Sequence, residues 1–125
     1  MHDKLFIPCT KRRGSAYFEF QFYKKDRSAH RAAQDCNQHW LPDSLCVHID
    51  CQETFLCHYL PYLQETHAPN GSHEFCCFAL NYYTKEQARA IADKIRADRP
   101  QEWEILLPWL EQAATEYNGF FLMGV

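Results

Sequence analysis

Two Cys/His clusters lie close together in this chain: Cys46-Val-His48-Ile-Asp50-Cys51 and then Cys57-His58. These side chains ligate zinc or form thiolate–imidazole pairs. A structural zinc site draws about four ligands into a tetrahedron, usually from paired short spacings such as C-x2-C or H-x3-H. Here the short pair is His48-x2-Cys51, and no C-x2-C occurs. Cys76 and Cys77 are adjacent, so on a strand they point to opposite faces. The competing reading is a set of buried thiols and partly exposed imidazoles, and no metal or cofactor is expected. For a thiol enzyme, Cys51 is the best placed, one residue past a predicted helix cap at Asp50. A reactive thiolate needs a cation or helix N-terminus beside it, and the neighbouring carboxylate works against that. The H-x-E and P-C-x-x-C deaminase pattern, G-x-S-x-G, H-E-x-x-H and Gly-rich phosphate loops are absent from the sequence. Chemistry at Cys46, His48, Cys51, Cys57 and His58 is therefore the alternative, and a binding function the main reading.

The charge pattern supports binding. Between Arg31 and Lys85 there is no Lys or Arg, while Asp35, Asp43, Asp50, Glu53, Glu65 and Glu74 all fall there. Soluble surfaces normally intersperse both signs. In residues 1–31 the balance reverses, with eight basic side chains against three acidic ones, inside a chain of net charge −3. Trp40, Tyr59 and Tyr62 accompany the carboxylates, and aromatic residues anchor interfaces. Trp40 and Tyr59 fall on predicted apolar faces, which leaves Tyr62, beside Pro61, as the better contact residue. The candidate partner-binding set is Asp43, Asp50, Glu53, Tyr62, Glu65 and Glu74. Its bland counterpart is that Asp50 and Glu53 merely cap a helix. The basic residues Lys11, Arg12, Arg13, Lys24, Lys25, Arg27 and Arg31, with Tyr17 and Tyr23, have the composition of a nucleic-acid face. The overall acidity weighs against that, since such clusters usually face solvent or match the protein's own acidic half.

The elements that must position these residues follow from periodicity. Residues 4–9 predict a short strand and residues 10–15 a polar, Gly-containing connector. In residues 16–23, Ala16, Phe18, Phe20 and Phe22 point one way, with Glu19 and Gln21 pointing the other, as in a half-buried strand. Ala29, Ala32, Ala33, Cys36 and Trp40 form one face of a helix ending before Pro42. Residues 44–49 read as a strand, followed by a helix with Phe55, Leu56, Tyr59, Leu60 and Leu63 inward and Pro61 kinking or splitting it. Asn70-Gly71 marks a turn. Residues 75–80 are apolar on both parities, like a central strand. Thr84 and Gln87 spell a capping box before a helix carrying Ala88, Ile91, Ala92 and Ile95. Trp103, Leu106, Leu107, Leu110, Ala114 and Tyr117 make another stripe, Gly119 a terminating cap, and the apolar C-terminus a strand inside the sheet.

The expected fold is a single α+β domain over residues 1–125, a mostly antiparallel sheet of about five strands with three to four helices packed on it. The high aromatic content excludes disorder as the main state. No apolar run is long enough to cross a membrane, and the start lacks a signal-peptide core, so a cytoplasmic location is expected. In that reducing setting the seven cysteines are expected to be free, mostly buried thiols.

The stretch Asn81-Tyr-Tyr-Thr-Lys-Glu-Gln87, with Trp109-Leu-Glu-Gln-Ala113 and Tyr117-Asn-Gly-Phe-Phe121, resembles small bacterial immunity proteins of contact-dependent and polymorphic toxin systems. The resemblance implies a cytoplasmic protein that neutralises one cognate protein toxin by covering its active site or an exosite. A nuclease-type toxin, with a basic substrate cleft, would match the carboxylates.

Overall fold

A computed structural model describes residues 4–28, 32, 35–36, 39–67, 73–76 and 79–124. Five strands form one antiparallel sheet: β1 (Ile7–Pro8), β2 (Tyr17–Phe22), β3 (Leu45–His48), β4 (Leu80–Tyr83) and β5 (Phe120–Met123), in the order β1-β3-β2-β5-β4. Three helices cover one face: α1 (Gln52–Leu63), α2 (Lys85–Asp98) and α3 (Trp103–Thr115). The expected α+β domain is what forms.

The alternation in β2 sets the main core. Phe18, Phe20 and Phe22 face the helices and meet Phe55 of α1, Trp109 of α3 and Phe120 of β5. The Trp109 ring stacks on Phe22 at 4.1 Å, and its Nε1 donates to the Asp43 carbonyl at 3.0 Å. A Trp with both a packed ring and a satisfied N–H is a strong fixed point. β5 pairs with β2 and β4, Phe20 opposite Leu122 and Tyr83 opposite Phe120, so the C-terminal strand lies inside the sheet as expected.

The signals for α1, α2 and α3 hold with one exception. Thr84 and Gln87 exchange both capping-box hydrogen bonds. Pro61 and Pro108 are accommodated within α1 and α3. The predicted Asp50 cap is corrected: Ile49–Cys51 is a 3-10 turn, His48 Nδ1 accepts from the Asp50 N–H at 3.0 Å, and α1 starts after Cys51 without a side-chain cap. The His48 imidazole occupies the Asp50 N–H, the donor that Glu53 would have taken in a capping box.

Three further expectations change. The strand expected over residues 75–80 is displaced to Leu80–Tyr83 and is an outer member of the sheet, not a central one. Residues 77–78 of that expectation lie outside the described residues. Tyr82 pairs onward with His67, the two exchanging N–H···O bonds of 2.9 Å, and Glu65 pairs with Glu74, so residues 65–67 and 73–75 extend the edge. The second change concerns the face of β2 that bears Glu19 and Gln21. It is buried too, Glu19 being 1% exposed. Ala32 packs there with Tyr23, Tyr82, Phe121 and Met123, while Trp40 joins Tyr17, Cys9 and Cys46. Much of the helix expected over residues 28–41 lies outside the described residues; Ala32 and Asp35 are helical, but Trp40 is not, having φ 61. Third, Cys9 and Cys46 form a disulfide, where free thiols were expected. β1 lies beside β3 with Ile7 opposite Cys46, which brings the two sulfurs together.

The turn between α2 and α3 places two non-glycine residues, Arg99 and Glu102, in the left-handed region. Glu102 uses its carboxylate to hold the N-terminal segment, accepting from Leu5 N–H at 2.7 Å and Phe6 N–H at 3.4 Å. Gly119 ends the loop into β5 at φ 89, where a Cβ would lie 2.0 Å from the Tyr83 carbonyl oxygen. Both the conformation and the close approach require glycine. Gly119→Ala should lower stability by about 3 kcal/mol or more, because left-handed strain and a backbone collision add together. Urea unfolding would check this; a loss below about 1 kcal/mol would show that the loop relaxes freely.

Candidate functional site

The six residues expected to bind a partner are distributed over three places. Asp43 lies in the turn before β3 and is neutralised by Lys24, whose Nζ sits 2.7 Å from Oδ2. It is part of the scaffold that also holds Trp109. Asp50 and Glu53 are exposed at the start of α1, with Asp50 Oδ2 3.4 Å from His48 Nδ1. Tyr62, Glu65 and Glu74 come together at the other end of α1. At 1.5 Å per residue, the twelve residues of α1 put these two ends roughly 18 Å apart.

The second end is the more organised. Glu65 and Glu74 are opposite one another in an antiparallel bridge, both exposed. Thr66 N–H donates to the His73 carbonyl at 3.0 Å, and Gln87 Nε2 donates to the Glu65 carbonyl at 3.1 Å, which ties the segment to α2. Tyr62 is half-buried, and its hydroxyl donates to Asp98 at 2.8 Å. Burial, then that carboxylate, hold its phenol above the ordinary range, so it remains a donor. Alongside runs a groove of about 290 Å³ that includes Tyr62, Glu65, Gln87, Ile91 and Lys94. His67 and His73 stack edge-on at 5.0 Å beneath the bridge. Burial first, and the second imidazole next, lower the His67 pKa, so its ring stays neutral at neutral pH.

The acidic block therefore does not form one uninterrupted patch. Lys24 reaches Asp43, while Lys25 and Arg27 converge on Asp35, the latter at 2.9 Å, and Tyr23 donates its hydroxyl to the same carboxylate. The Tyr23 hydrogen bond is the largest influence lowering the Asp35 pKa. Three of the eight basic residues of the N-terminal block are thus matched to the protein's own carboxylates. Lys11 and Arg13 are exposed and make no ion pair among the described residues.

The Cys/His cluster is dismantled. Cys46 is in the disulfide on β3, Cys51 is half-buried at the start of α1, and Cys57 is exposed farther along that helix. Burial, then Asp50 and Glu102, push the Cys51 thiol up, away from the thiolate. Among the described residues no three His, Cys, Asp or Glu side chains converge as metal donors.

Sequence reasoning missed a polar cluster on the other face of the sheet. Glu19 accepts N–H donors from Trp40 at 2.9 Å and Leu41 at 3.2 Å, and from Gln21 Nε2 at 3.1 Å. His39 Nδ1 lies 3.6 Å from the same carboxylate. Cys36 lies near Gln21 and Met123, and burial, with Glu19 second, pushes its thiol up to about 11. The Arg12 guanidinium sits 4.5 Å over the Trp40 ring. The one hint in the sequence is that Tyr17 and Tyr23 share this strand face with Glu19 and Gln21. Elsewhere, a cavity of about 620 Å³ is rimmed by Lys24, Lys25, Lys85 and Arg89 together with Asp26, Glu86 and Glu116, so neither sign dominates it.

No family model, no curated protein and no solved structure matches this chain.

The cysteines should separate chemically. At pH 8, exposed Cys57 and Cys76 should be labelled first by a thiol reagent. Cys36 and Cys51, held protonated by burial, should lag, and Cys9 and Cys46 should label only after reduction. Peptide mapping of labelled protein checks this. Rapid labelling of Cys36 would contradict its burial, and labelling of Cys9 without reductant would contradict the bridge.

Proposed function

We infer that this protein is a stoichiometric binding protein that neutralises a cognate protein toxin, in the manner of an immunity protein, with no catalysis of its own. The observation that carries the reading is the Glu65–Glu74 pair. The bridge sets two exposed carboxylates directly opposite one another, which concentrates negative charge at this end of α1. Tyr62 and Asp98 stand beside the pair, supplying an aromatic edge and a further carboxylate next to a groove. A basic partner, such as the substrate cleft of a nuclease-type toxin, would be steered to this end by charge and fixed by the groove.

The contact set is accordingly narrowed to Tyr62, Glu65, Glu74 and Asp98. Asp50 and Glu53 lie exposed at the other end of α1, and Asp43 serves as an internal control, its Oδ2 being paired with Lys24. The resemblance of residues 81–87, 109–113 and 117–121 to immunity proteins points the same way. Among the described residues no helix is long and apolar enough to cross a membrane. Neutralisation in the cytoplasm is the location this reading carries. A bridge such as Cys9–Cys46 belongs more to oxidising compartments, so its state in protein isolated from the host decides between them.

The test is recovery from the native host at low and raised salt, with the wild type and with Glu65→Lys/Glu74→Lys. One basic protein should be recovered in near-equal amount from the wild type and be depleted by salt. The double reversal should weaken its binding at least about tenfold, chiefly through slower association. Asp43→Asn should leave it unchanged. A partner retained equally by all three proteins, or no protein partner at all, would overturn the assignment.

A further inference from the structure

Behind the sheet, on the face the three helices leave uncovered, lies a cavity of about 320 Å³ between β2, the end of β5 and the His39–Trp40 segment. Its walls are Tyr17, His39 and Trp40, and Met123 and Glu19 lie at its base. Tyr17 meets Trp40 edge-on at 6.2 Å, and His39 lies 5.7 Å from the same indole. This volume is at the lower end of the roughly 300–1,000 Å³ that ligand pockets span.

Trp40 is not there by default. Its backbone is left-handed, an outlier for a bulky side chain, and strain of that kind persists only where the surroundings over-determine it. Glu19 supplies that constraint by taking the consecutive N–H groups of Trp40 and Leu41. With Gln21 also donating, both carboxylate oxygens are occupied, so Glu19 acts on the wall and not on a ligand. The strain holds an aromatic plane upright beside a cavity.

A basic segment adjoins the opening. Lys11, Arg12 and Arg13 precede Ser15, which lines the opening. Arg12 is stacked on Trp40, and its Nη1 donates to the Gly14 carbonyl, which orients the guanidinium. The backbone N–H of Arg13 donates to the Tyr17 hydroxyl at 2.8 Å, which anchors the loop to the wall. Whereas Lys24, Lys25 and Arg27 are spent on Asp43 and Asp35, the side chains of Lys11 and Arg13 remain unengaged among the described residues.

We propose that this cavity binds a nucleoside phosphate, either free or as one unit of a single strand, with the base against Trp40 and Tyr17 and the phosphate at Lys11, Arg12 and Arg13. Aromatic walls with a cationic rim are how single nucleotides are held without sequence readout. A volume of this size fits one nucleotide and not a long tract. The site is separate from the acidic end of α1 and does not depend on the toxin-binding assignment.

The test is titration of the whole protein with 5′-AMP, a five-nucleotide single-stranded oligoadenylate, adenosine and inorganic phosphate, followed by calorimetry and tryptophan fluorescence. AMP or the oligonucleotide should bind one to one with quenched emission, and phosphate alone should bind at least about tenfold more weakly. Comparable affinity for both assigns the free nucleotide, and tighter binding of the oligonucleotide assigns a strand. Trp40→Leu should abolish binding. Because that change could disturb the loop, Lys11→Ala/Arg13→Ala alters only exposed side chains and should weaken binding roughly tenfold, with a shallower salt dependence. Lys24→Ala/Lys25→Ala should change it less than about twofold. No binding below millimolar concentration, phosphate binding as well as AMP, or binding that survives Lys11→Ala/Arg13→Ala would each overturn the proposal.

Discussion

A carboxylate in the middle of a sheet is costly unless both oxygens find donors, and the rear half of this protein is organised by that demand. β2 is the central strand and is buried on both faces, with Phe18, Phe20 and Phe22 toward the helices and Tyr17, Glu19, Gln21 and Tyr23 away from them. Glu19 cannot reach water. It takes the Trp40 and Leu41 N–H groups instead, and so fixes where the chain must pass on its way to β3. That passage places Trp40 over Tyr17 and brings residues 42–44 to the turn where Trp109 docks. The front core and the rear layer thus meet through one segment, and Cys9–Cys46 closes it from the side of β1.

Charge is distributed by the same economy of position. The basic and acidic halves of the sequence meet within one molecule: Lys24 with Asp43, Lys25 and Arg27 with Asp35. An exposed pair such as Lys24–Asp43 adds little stability. The effect of these pairs is to remove those groups from external recognition, which leaves two unlike surfaces. One is the acidic end of α1 around Glu65 and Glu74, and the other is the Lys11–Arg13 rim beside Trp40. A molecule with net charge −3 in this way presents both an acidic and a basic surface.

Much of the framework was legible in the sequence because its signals are local. The alternation of Phe18, Phe20 and Phe22, the Thr84–Gln87 box, the stripe Ile91–Ile95 and the position of Gly119 each depend on neighbours a few residues away. What could not be read depends on long-range contact. Glu19 looked like the solvent side of a half-buried strand, because nothing near it in sequence shows that residues 39–41 return to cover it. The Cys9–Cys46 bridge joins residues 37 apart, and only the docking of β1 on β3 reveals it. Residues 75–80 were read as a strand from composition, while pairing with β5 selected Leu80–Tyr83 instead. The candidate site was legible in part. Tyr62, Glu65 and Glu74 do gather, but Asp43 turned inward to Lys24, and Asp98 came from a helix that sequence adjacency never suggested.

The most direct measurement is amide hydrogen exchange at Trp40 and Leu41 in the wild type and in Glu19→Gln. If the buried carboxylate holds this segment, both amides exchange slowly in the wild type despite lying outside any strand or helix. In the variant, where one acceptor oxygen is lost, they should speed up by about tenfold or more while Phe20 and Leu122 stay protected. Free exchange of Trp40 and Leu41 in the wild type, or protection that Glu19→Gln leaves unchanged, would contradict the account.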